Sequence, residues 1–507
     1  MNIRFRDFLT FLFFNLSGFL YAAEKNIIFF ITDDESPTLG CYGDPIAKTP
    51  AIDALAKDGT LFLNAFATTA SCSASRSVVL SGLHNHANGQ YGHQHSFHKF
   101  SSYFNVIGLS LPRNLAKAGY RTGHIGKYHV SPEEVFHFET YLRGNSRNAV
   151  QMAEQTKDFI AQKSEQPFFL YFATSDPHRG GGRDMTSKNQ LKPDLFGNKS
   201  NRREHDGVKE VFYDPKDVPI PSFLSDTSET REELAQYYQS VSRIDQGVAR
   251  LVKILKEAGL YEKTMIVFTS DHGMAFAGGK TTVYEGGLRV PFVVRNPYEK
   301  KRGIPHSAMI SHVDITPTLL DFGGALDVQH NKPRLWEDPN KLFPLPQKGA
   351  PKDNRGQNSK LSSYHGKSWL SVLGDAKATH WESIFASHTF HEIQMYYPMR
   401  VYRDKEYKLI WNIAHPLPYP FASDLWAASS FQAQFQQSLS APYGNKTVRQ
   451  YIHRAEFEFF KIDEDPEESR NLSGKPKFAA KLEEYKEKLK SAQKKFNDPW
   501  VMKWSYE

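Results

Sequence analysis

Two pairs of residues with metal-binding side chains follow two separate apolar segments of the chain. Asp33 and Asp34 come directly after one segment, and Asp271 and His272 come directly after the other. Carboxylates that meet at short range repel one another unless a cation lies between them, and calcium and magnesium prefer carboxylate oxygens. Together the two pairs predict a site for such a cation, although either pair alone could simply cap a helix or a turn.

A cysteine followed one helical turn later by an arginine forms a second candidate site. Cys72 and Arg76 stand at the start of a segment with a helical pattern. A helix N-terminus and a fixed cation would both stabilise an anion at the sulfur. From these residues alone, however, a buried structural cysteine is the more common interpretation. The other cysteine, Cys41, has no adjacent Arg or His, and we interpret it as inert.

A histidine-rich segment suggests zinc at first sight. Zinc sites need a closed and regularly spaced ligand set, and a loop that lines a pocket explains this segment better. The histidines are His84, His86, His93, His95 and His98.

Apolar segments that end in polar residues must position these side chains. Residues 26–32, 167–173 and 264–270 are mostly apolar or β-branched and predict strands buried on both faces, as in a parallel sheet. The carboxyl ends of such strands are where open α/β sheets place their sites. Residues 149–163 and 231–258 have helical periodicity. This alternation predicts an α/β sandwich with a mostly parallel sheet.

The sequence changes character towards its C-terminal end. Residues 326–366 are rich in Pro, Asn, Lys and Gly and predict a long surface excursion. Beyond them we predict a hairpin over residues 399–411, a strand over 456–462 and an amphipathic helix over 477–496. We therefore expect a catalytic domain over residues 24–380 and a small α+β C-terminal subdomain over 381–507.

The N-terminal residues indicate export. Arg4 and Arg6 precede a mostly apolar run over residues 8–20, and Ala22 and Ala23 follow it. This pattern is typical of a secretory signal peptide, which we place at residues 1–23. An anchor that is never cleaved is the alternative, although the run is short for a membrane span. We expect a periplasmic or secreted protein, or one of a lysosomal-type lumen in a eukaryote, with no transmembrane segment in the mature chain.

The composition narrows the class of partner. The 507 residues include 63 Lys and Arg against 56 Asp and Glu, a formal net charge of +7. This mild excess suits an anionic substrate, but it lacks the concentrated basic face that nucleic acid binding requires. Two cysteines exclude a disulfide framework.

The cysteine segment resembles the signature of a known family. Cys72, Ala74 and Arg76 match Cys-x-(Pro or Ala)-x-Arg, the signature of type I sulfatases, in which the cysteine is oxidised to formylglycine. Further matches follow in the order and spacing of that family over nearly the whole chain. They are Asp33-Asp34, Gly126-Lys127-Tyr128-His129, Asp176-Pro177-His178, Ser270-Asp271-His272-Gly273, Lys280, and residues 284–291 and 465–472.

The resemblance implies an alkaline-phosphatase-like fold and a calcium cofactor. It also implies a formylglycine (3-oxoalanine) at residue 72, made by a formylglycine-generating or anaerobic sulfatase-maturating enzyme. The implied calcium ligands are Asp33, Asp34, Asp271, His272 and an oxygen of residue 72.

The resemblance also assigns roles to the basic residues. Arg76 would hold the hydrated formylglycine, and Lys127 and Lys280 would bind sulfate oxygens. His178 would protonate the leaving group. His129 would take the proton that releases sulfate from residue 72. A plain structural role is the alternative for His129 and for His178.

Within the family, the sequence most resembles the N-sulfoglucosamine sulfohydrolases (heparan N-sulfatases). Two departures leave the substrate open: His272 stands where those enzymes have Asn, and residues 285–289 are closer to the general family pattern. The implied partner is a sulfated oligo- or polysaccharide, either an N-sulfated heparan-type chain or an O-sulfated algal polymer such as ulvan. Phosphoester or phosphonate hydrolysis and non-catalytic glycan binding are the rival functions, and the intact Cys72 signature disfavours both.

Overall fold

The structure, a computed structural model, describes residues 25–180, 195–199, 203–337 and 362–506. The predicted signal peptide at residues 1–23 lies outside these ranges, as does much of the predicted surface excursion over residues 326–366. In the part of the chain that is described, no helix has both the length and the apolar character needed to cross a bilayer.

Eight strands form the main sheet of the described chain. They are β1 (Asn26–Thr32), β2 (Thr60–Phe66), β3 (Arg121–Gly126), β4 (Thr140–Leu142), β5 (Phe168–Ala173), β6 (Thr264–Ser270), β7 (Phe292–Arg295) and β8 (Ile304–Ser311). Their order across the sheet is β4-β3-β5-β1-β6-β7-β2-β8. Within this sheet β7 runs antiparallel to both of its neighbours, and the other pairings are parallel.

Helices cover both faces of this sheet. They are α1 (Pro50–Lys57), α2 (Cys72–Ser81), α3 (Asn85–Asn88), α4 (Leu111–Lys117), α5 (Ala149–Gln155), α6 (Lys157–Ala161), α7 (Ser228–Glu257), α8 (Glu285–Leu288) and α9 (Ile315–Phe322). Side chains of β1 alternate between the two layers, as a strand requires. Ile28 and Phe30 pack in the layer of α5 and α7, whereas Ile27, Phe29 and Ile31 pack in the layer of α2, α4 and α9.

The helix predicted over residues 149–163 is two short helices, α5 and α6, that meet at Thr156. The Thr156 hydroxyl donates a hydrogen bond of 2.7 Å to the Ala153 carbonyl, and such back-bonding bends helices. The helix predicted over residues 231–258 is the single helix α7. It begins after Thr227, whose side chain accepts a hydrogen bond from the Thr230 backbone.

The predicted C-terminal α+β part is built on a separate antiparallel sheet. Its strands are β11 (Ser383–His388), β12 (Met399–Asp404), β13 (Tyr407–Asn412) and β16 (Phe457–Lys461), in that order. Two-stranded pairs are formed by β9 (Leu326–Asp327) with β10 (Lys332–Pro333), and by β14 (Pro442–Tyr443) with β15 (Lys446–Thr447). The remaining helices are α10 (Ser423–Trp426), α11 (Ser429–Phe435), α12 (Val448–Ile452), α13 (Ala479–Lys495) and α14 (Lys503–Tyr506).

This second sheet packs between the main core and α13. Ile384, Val401 and Ile410 join the apolar cluster of the main sheet, while Leu482 and Leu489 of α13 cover the opposite face. The hairpin, the strand and the helix predicted for this region are therefore confirmed within a few residues. The domain boundary at residue 380 stays a prediction, because the apolar packing runs across it.

Candidate active site

The carboxyl ends of β1 and β6 deliver the four polar residues predicted at the first site. The two strands are parallel neighbours, and Thr32 pairs with Ser270 at their ends. Asp33, Asp34, Asp271 and His272 follow directly and are all fully buried. Two hydrogen bonds from backbone amides join the strand ends. The Asp271 amide donates to the Thr32 carbonyl, and the Asp34 amide donates to the Asp271 carboxylate.

Four of the predicted metal ligands form one compact donor cluster. Asp34, Cys72, Asp271 and His272 each offer a donor atom within 4.8 Å of the others. Asp34 Oδ1 lies 3.1 Å from His272 Nε2 and 3.6 Å from the Cys72 sulfur. Burial and the neighbouring charge of Asp33 raise the pKa of Asp271 to about 6. The cluster has the carboxylate oxygens that calcium prefers, and the sulfur is its single soft donor.

Asp33 lies beside this cluster and contacts two cations. Its Oδ1 accepts a hydrogen bond of 3.2 Å from Arg76, and its Oδ2 lies 2.5 Å from Lys127 Nζ. Burial alone would raise the pKa of Asp33, but the charges of Lys127 and Arg76 hold that pKa well below its usual range. Asp33 is therefore ionised, and its place among the calcium ligands stays a prediction.

Arg76 joins the two strand ends through its guanidinium group. Its Nε donates to Asp271 over 3.0 Å, and its Nη2 donates to Asp33 and to the Thr32 carbonyl. The side chain is fully buried. A buried guanidinium with carboxylate partners on two elements fixes their separation.

Cys72 is the first residue of α2, and its side chain is fully buried. From the residues alone, the sequence left open an anion stabilised at the sulfur and, as the more common case, a buried cysteine. The structure favours the buried cysteine, because burial raises the pKa of the Cys72 thiol well above its usual value despite the charges of Lys127 and Lys280. Arg76 is directed at the carboxylates instead. The site therefore holds residue 72 in place without preparing a reactive thiolate.

Lys280 links the cluster to a second group of side chains. Its Nζ lies 2.9 Å from each of three partners, which are Asp34 Oδ2, His178 Nε2 and Asp424 Oδ2. Burial and the charge of Lys280 lower the pKa of His178 to about 4. In this state the His178 ring is neutral and accepts a hydrogen bond from Lys280.

His129, another predicted site residue, is hydrogen-bonded to a histidine. It lies just beyond β3 with a positive φ of 54°, and its Nε2 is 2.7 Å from His95 Nδ1. Burial and the neighbouring charge of Lys127 hold the pKa of His129 well below its usual value. The ring is therefore neutral.

The histidine-rich segment meets His129 in space. One donor atom each of His93, His95 and His129 lies within 4.8 Å of the others, close enough to hold a metal ion together. His391 joins the group, with its ring centroid 3.8 Å from that of His93. The spacing of the five histidines in the sequence does not show that His93 and His95 converge with His129 and His391. The expectation that this segment binds no zinc stays a prediction.

Sequence reasoning missed two site residues. Asp424 contacts Lys280, and His391 lies 2.9 Å from the hydroxyl of Ser71, the residue before Cys72. His391 falls within a segment that resembles the N-sulfatases, so the sequence carried a signal for it. Asp424 lies between Ser423 and Leu425 in a short helix, and no spacing pattern marks it.

Comparison with known proteins places the chain among enzymes. The family model described as Sulfatase matches residues 25–325. The human N-sulphoglucosamine sulphohydrolase is 34% identical over 494 residues, which cover 96% of this chain and 93% of that protein. An ulvan-active sulfatase of Formosa agariphila is 26% identical over 476 residues, covering 92% of this chain and 79% of that protein.

Solved structures share the fold across nearly the whole chain. One is a protein in complex with its substrate D-glucosamine-2-N,6-O-disulfate, with a TM-score of 0.62, 20% identity, and coverage of 94% of this chain and 98% of that one. Another is the phosphonate monoester hydrolase of Agrobacterium radiobacter, with a TM-score of 0.62, 18% identity, and coverage of 93% and 96%. At these identities the likeness shows the fold alone, and it confirms the predicted alkaline-phosphatase-like architecture.

Proposed function

Because the chain belongs to the sulfatase family, we propose that this sulfatase removes the N-sulfate group from glucosamine units of heparan-type glycans. The single observation that carries the choice of substrate is the 34% identity to human N-sulphoglucosamine sulphohydrolase, which extends over 96% of this chain and 93% of that protein. Removal of O-sulfate from an algal polymer is the second candidate, favoured by the 26% identity to an ulvan-active sulfatase over 92% of the chain.

The proposed cofactors are calcium and a formylglycine made from Cys72. When bound, calcium supplies positive charge for sulfate oxygens and the formylglycine supplies an oxygen nucleophile. The proposed calcium ligands are Asp33, Asp34, Asp271, His272 and residue 72. The carboxylates of this set fit calcium, and replacing the sulfur of residue 72 with oxygen removes the one soft donor.

The chain's own cations would hold the sulfate group. Lys127 contacts Asp33, and Lys280 contacts Asp34. Ammonium groups in these positions attract sulfate oxygens and stabilise the charge that develops on them. Arg76 keeps the two strand ends in register, so that the sulfur atom of the substrate meets residue 72 at a fixed position.

The two histidines would move protons. His178 delivers a proton to the leaving nitrogen, and a bound anionic sulfate favours the protonated form of the ring that this step needs. His129, whose lowered pKa keeps its ring neutral, accepts the proton whose loss releases sulfate from residue 72. Separate residues for the two transfers allow one to act as acid while the other acts as base.

The proposed cellular context follows from the N-terminal sequence. Residues 1–23 would direct export, and a formylglycine-generating or anaerobic sulfatase-maturating enzyme would have to modify Cys72. Since Cys72 is fully buried in the folded chain, modification must precede folding of this region. The partner of the mature enzyme is then a sulfated glycan outside the cytosol.

Mass spectrometry and a substrate panel test the proposal together. The peptide that contains residue 72 should show formylglycine after expression in a host that makes it, and sulfate should be released from an N-sulfated heparin disaccharide. Cys72→Ala should abolish release, whereas Cys41→Ala, the matched control, should not. Sulfate released only from ulvan oligosaccharide would reject the N-sulfatase assignment, and full activity of Cys72→Ala would reject the mechanism.

A further inference from the structure

We propose that Asp424 is a specificity-determining residue, whose carboxylate accepts a hydrogen bond from the N–H of a sulfamate group and so favours N-sulfate over O-sulfate. The inference rests on the proposed function, since it concerns the leaving group of the same site. It adds a substrate contact that neither the family signature nor the strand-end residues contain.

Asp424 reaches the site from a distant part of the chain. It lies in α10, and its Oδ2 is 2.9 Å from Lys280 Nζ, the group that also contacts His178 and Asp34. Donor atoms of Asp34, His178 and Asp424 lie within 4.8 Å of one another. The carboxylate of Asp424 is therefore beside the histidine that is proposed to protonate the leaving group.

Exposure differs among the four side chains around Lys280. The side chains of Asp34 and Lys280 are 0% and 1% exposed, whereas those of Asp424 and His178 are 15% and 24% exposed. Asp424 and His178 thus form the open edge of this group. A sulfate bound against Lys280 can direct its sugar outward across that edge.

The Asp424 carboxylate has acceptor capacity left for a substrate. Its Oδ1 accepts a hydrogen bond of 3.0 Å from the Leu425 amide, and its Oδ2 accepts one of 2.9 Å from Lys280. A carboxylate has about four lone-pair sites in all. With Lys280 beside it the carboxylate stays ionised, and an ionised acceptor makes the stronger hydrogen bond.

The chemistry of the two leaving groups gives this acceptor its selectivity. A sulfamate nitrogen carries one hydrogen, whereas the bridging oxygen of a sulfate ester carries none and has lone pairs that a carboxylate repels. The sulfur would form its new bond to the oxygen nucleophile at residue 72 as the S–N bond breaks, while the nitrogen keeps the bonding electron pair and takes a proton from His178, which yields an amine. The amine binds a further proton from water, and Asp424 attracts the resulting ammonium.

A purely structural role for Asp424 makes a different prediction. If the residue only holds Lys280 in place, its loss weakens the binding of sulfate oxygens, which are the same in both substrate classes. Both activities would then fall by the same factor. The ratio of the two activities separates the roles, because the contribution of Lys280 cancels in it.

The test compares Asp424→Asn with the wild type as full-length, formylglycine-containing enzyme in calcium buffer. We measure kcat/KM for N-sulfoglucosamine and for 4-nitrophenyl sulfate. The ratio of sulfamate to ester activity should fall at least about tenfold, because a site built to bind an N–H discriminates strongly against a group that lacks one. Glu392→Gln is the matched control. That carboxylate accepts a hydrogen bond from Ser423 next to Asp424, and the substitution should leave the ratio unchanged.

Binding of the reaction product, glucosamine, gives a second measurement that does not require the enzyme to hydrolyse a sulfate ester. Glucosamine should inhibit the wild type more strongly than glucose. In Asp424→Asn the ratio of the inhibition constant of glucose to that of glucosamine should be at least about fivefold smaller. Where the variant turns over too slowly for inhibition kinetics, calorimetry gives the same ratio of affinities.

Equal losses on both substrates, or an unchanged glucosamine preference, would overturn the role of Asp424 while leaving the proposed function intact. A wild-type enzyme that releases no sulfate from N-sulfoglucosamine would overturn the proposed function itself, and the inference with it.

Discussion

At the scale of single residues, adjacent side chains in the site have different partners. The carboxylate of Asp33 contacts Arg76 and Lys127, whereas that of Asp34 contacts His272 and Lys280. Each ion is buried and would be costly without its partner. The pairs are therefore interdependent, and removing one member leaves an opposite charge uncompensated.

Arg76→Ala should strongly destabilise the fold, because it leaves Asp33 and Asp271 without their shared cation. We expect the free energy of unfolding to fall by about 3–5 kcal/mol, measured by urea unfolding at pH 7 with excess EGTA, so that calcium cannot replace the lost charge. Arg250→Ala, which breaks an ion pair with Glu154 at the surface, is the matched control and should cost about 0–1 kcal/mol. Equal effects of the two substitutions would contradict the structural account of Arg76.

At the scale of elements, the C-terminal sheet and its helices complete the site and also close the fold. Strands β12 and β13 carry apolar residues into the main core, and α10 delivers Asp424 to Lys280. An ion pair between Arg400 of β12 and Asp498 holds the chain beyond α13 against the C-terminal sheet. Arg400 donates to both oxygens of the Asp498 carboxylate, and both side chains are fully buried.

The pair of Arg400 and Asp498 predicts a pH-dependent stability. Burial alone would raise the pKa of Asp498, but the charge of Arg400 outweighs it and lowers that pKa to about 2. A folded-state pKa below the unfolded-state value means that the ionised form stabilises the fold. This contribution, about 2 kcal/mol, is complete above about pH 4 and is lost as the pH falls towards 2.

Urea unfolding of the wild type and of Asp498→Asn from pH 7 to pH 3 tests this dependence. The wild type should be the more stable protein at pH 7. The difference in free energy of unfolding between the two proteins should become smaller as the pH falls below about 4. Asp217→Asn, at an exposed position, is the control and should change the free energy of unfolding little. A difference in free energy of unfolding that stays constant from pH 7 to pH 3 would contradict the stabilising role of ionised Asp498.

At the scale of the whole molecule, the site joins strand ends of the main sheet, the start of α2 and a helix of the C-terminal part. Any cation bound by Asp34, Asp271 and His272 connects β1 to β6 at the centre of the sheet. A ligand that binds the folded state alone stabilises it by mass action. Calcium should therefore act on the stability of the chain as well as on its activity.

Removal of calcium should lower the Tm of the purified enzyme. At a calcium concentration about 100 times the Kd, the bound ion adds about 2.7 kcal/mol to the free energy of unfolding, and EGTA should remove this increment reversibly. Calorimetry with and without EGTA measures it. Asp34→Asn, which loses a central donor of the cluster, should respond much less to calcium. A wild-type Tm that calcium and EGTA leave unchanged would contradict the proposed metal site.

Local patterns in the sequence were sufficient to predict the framework of the site. The buried strands β1, β5 and β6 follow from unbroken apolar runs, because a strand covered on both faces needs apolar side chains throughout. The positions of Asp33 and Asp271 follow from those strands, since a parallel sheet presents its carboxyl ends at one edge. The predicted C-terminal hairpin was equally local, because β12 and β13 are joined by a short turn.

The sequence by itself determined the family, the sheet and the residues that carry the signature, because these depend on local periodicity and on motif order. Only the tertiary structure decided the contacts between distant segments. Asp424 meets Lys280, and His129 meets His95, through packing of elements that no local pattern relates. The choice between a stabilised anion and a buried cysteine at Cys72 also depended on tertiary structure, since complete burial raises the pKa of the thiol more than the surrounding cations lower it. Burial and convergence are properties of the folded chain as a whole, and a sequence pattern constrains them only where neighbours in space are also neighbours along the chain.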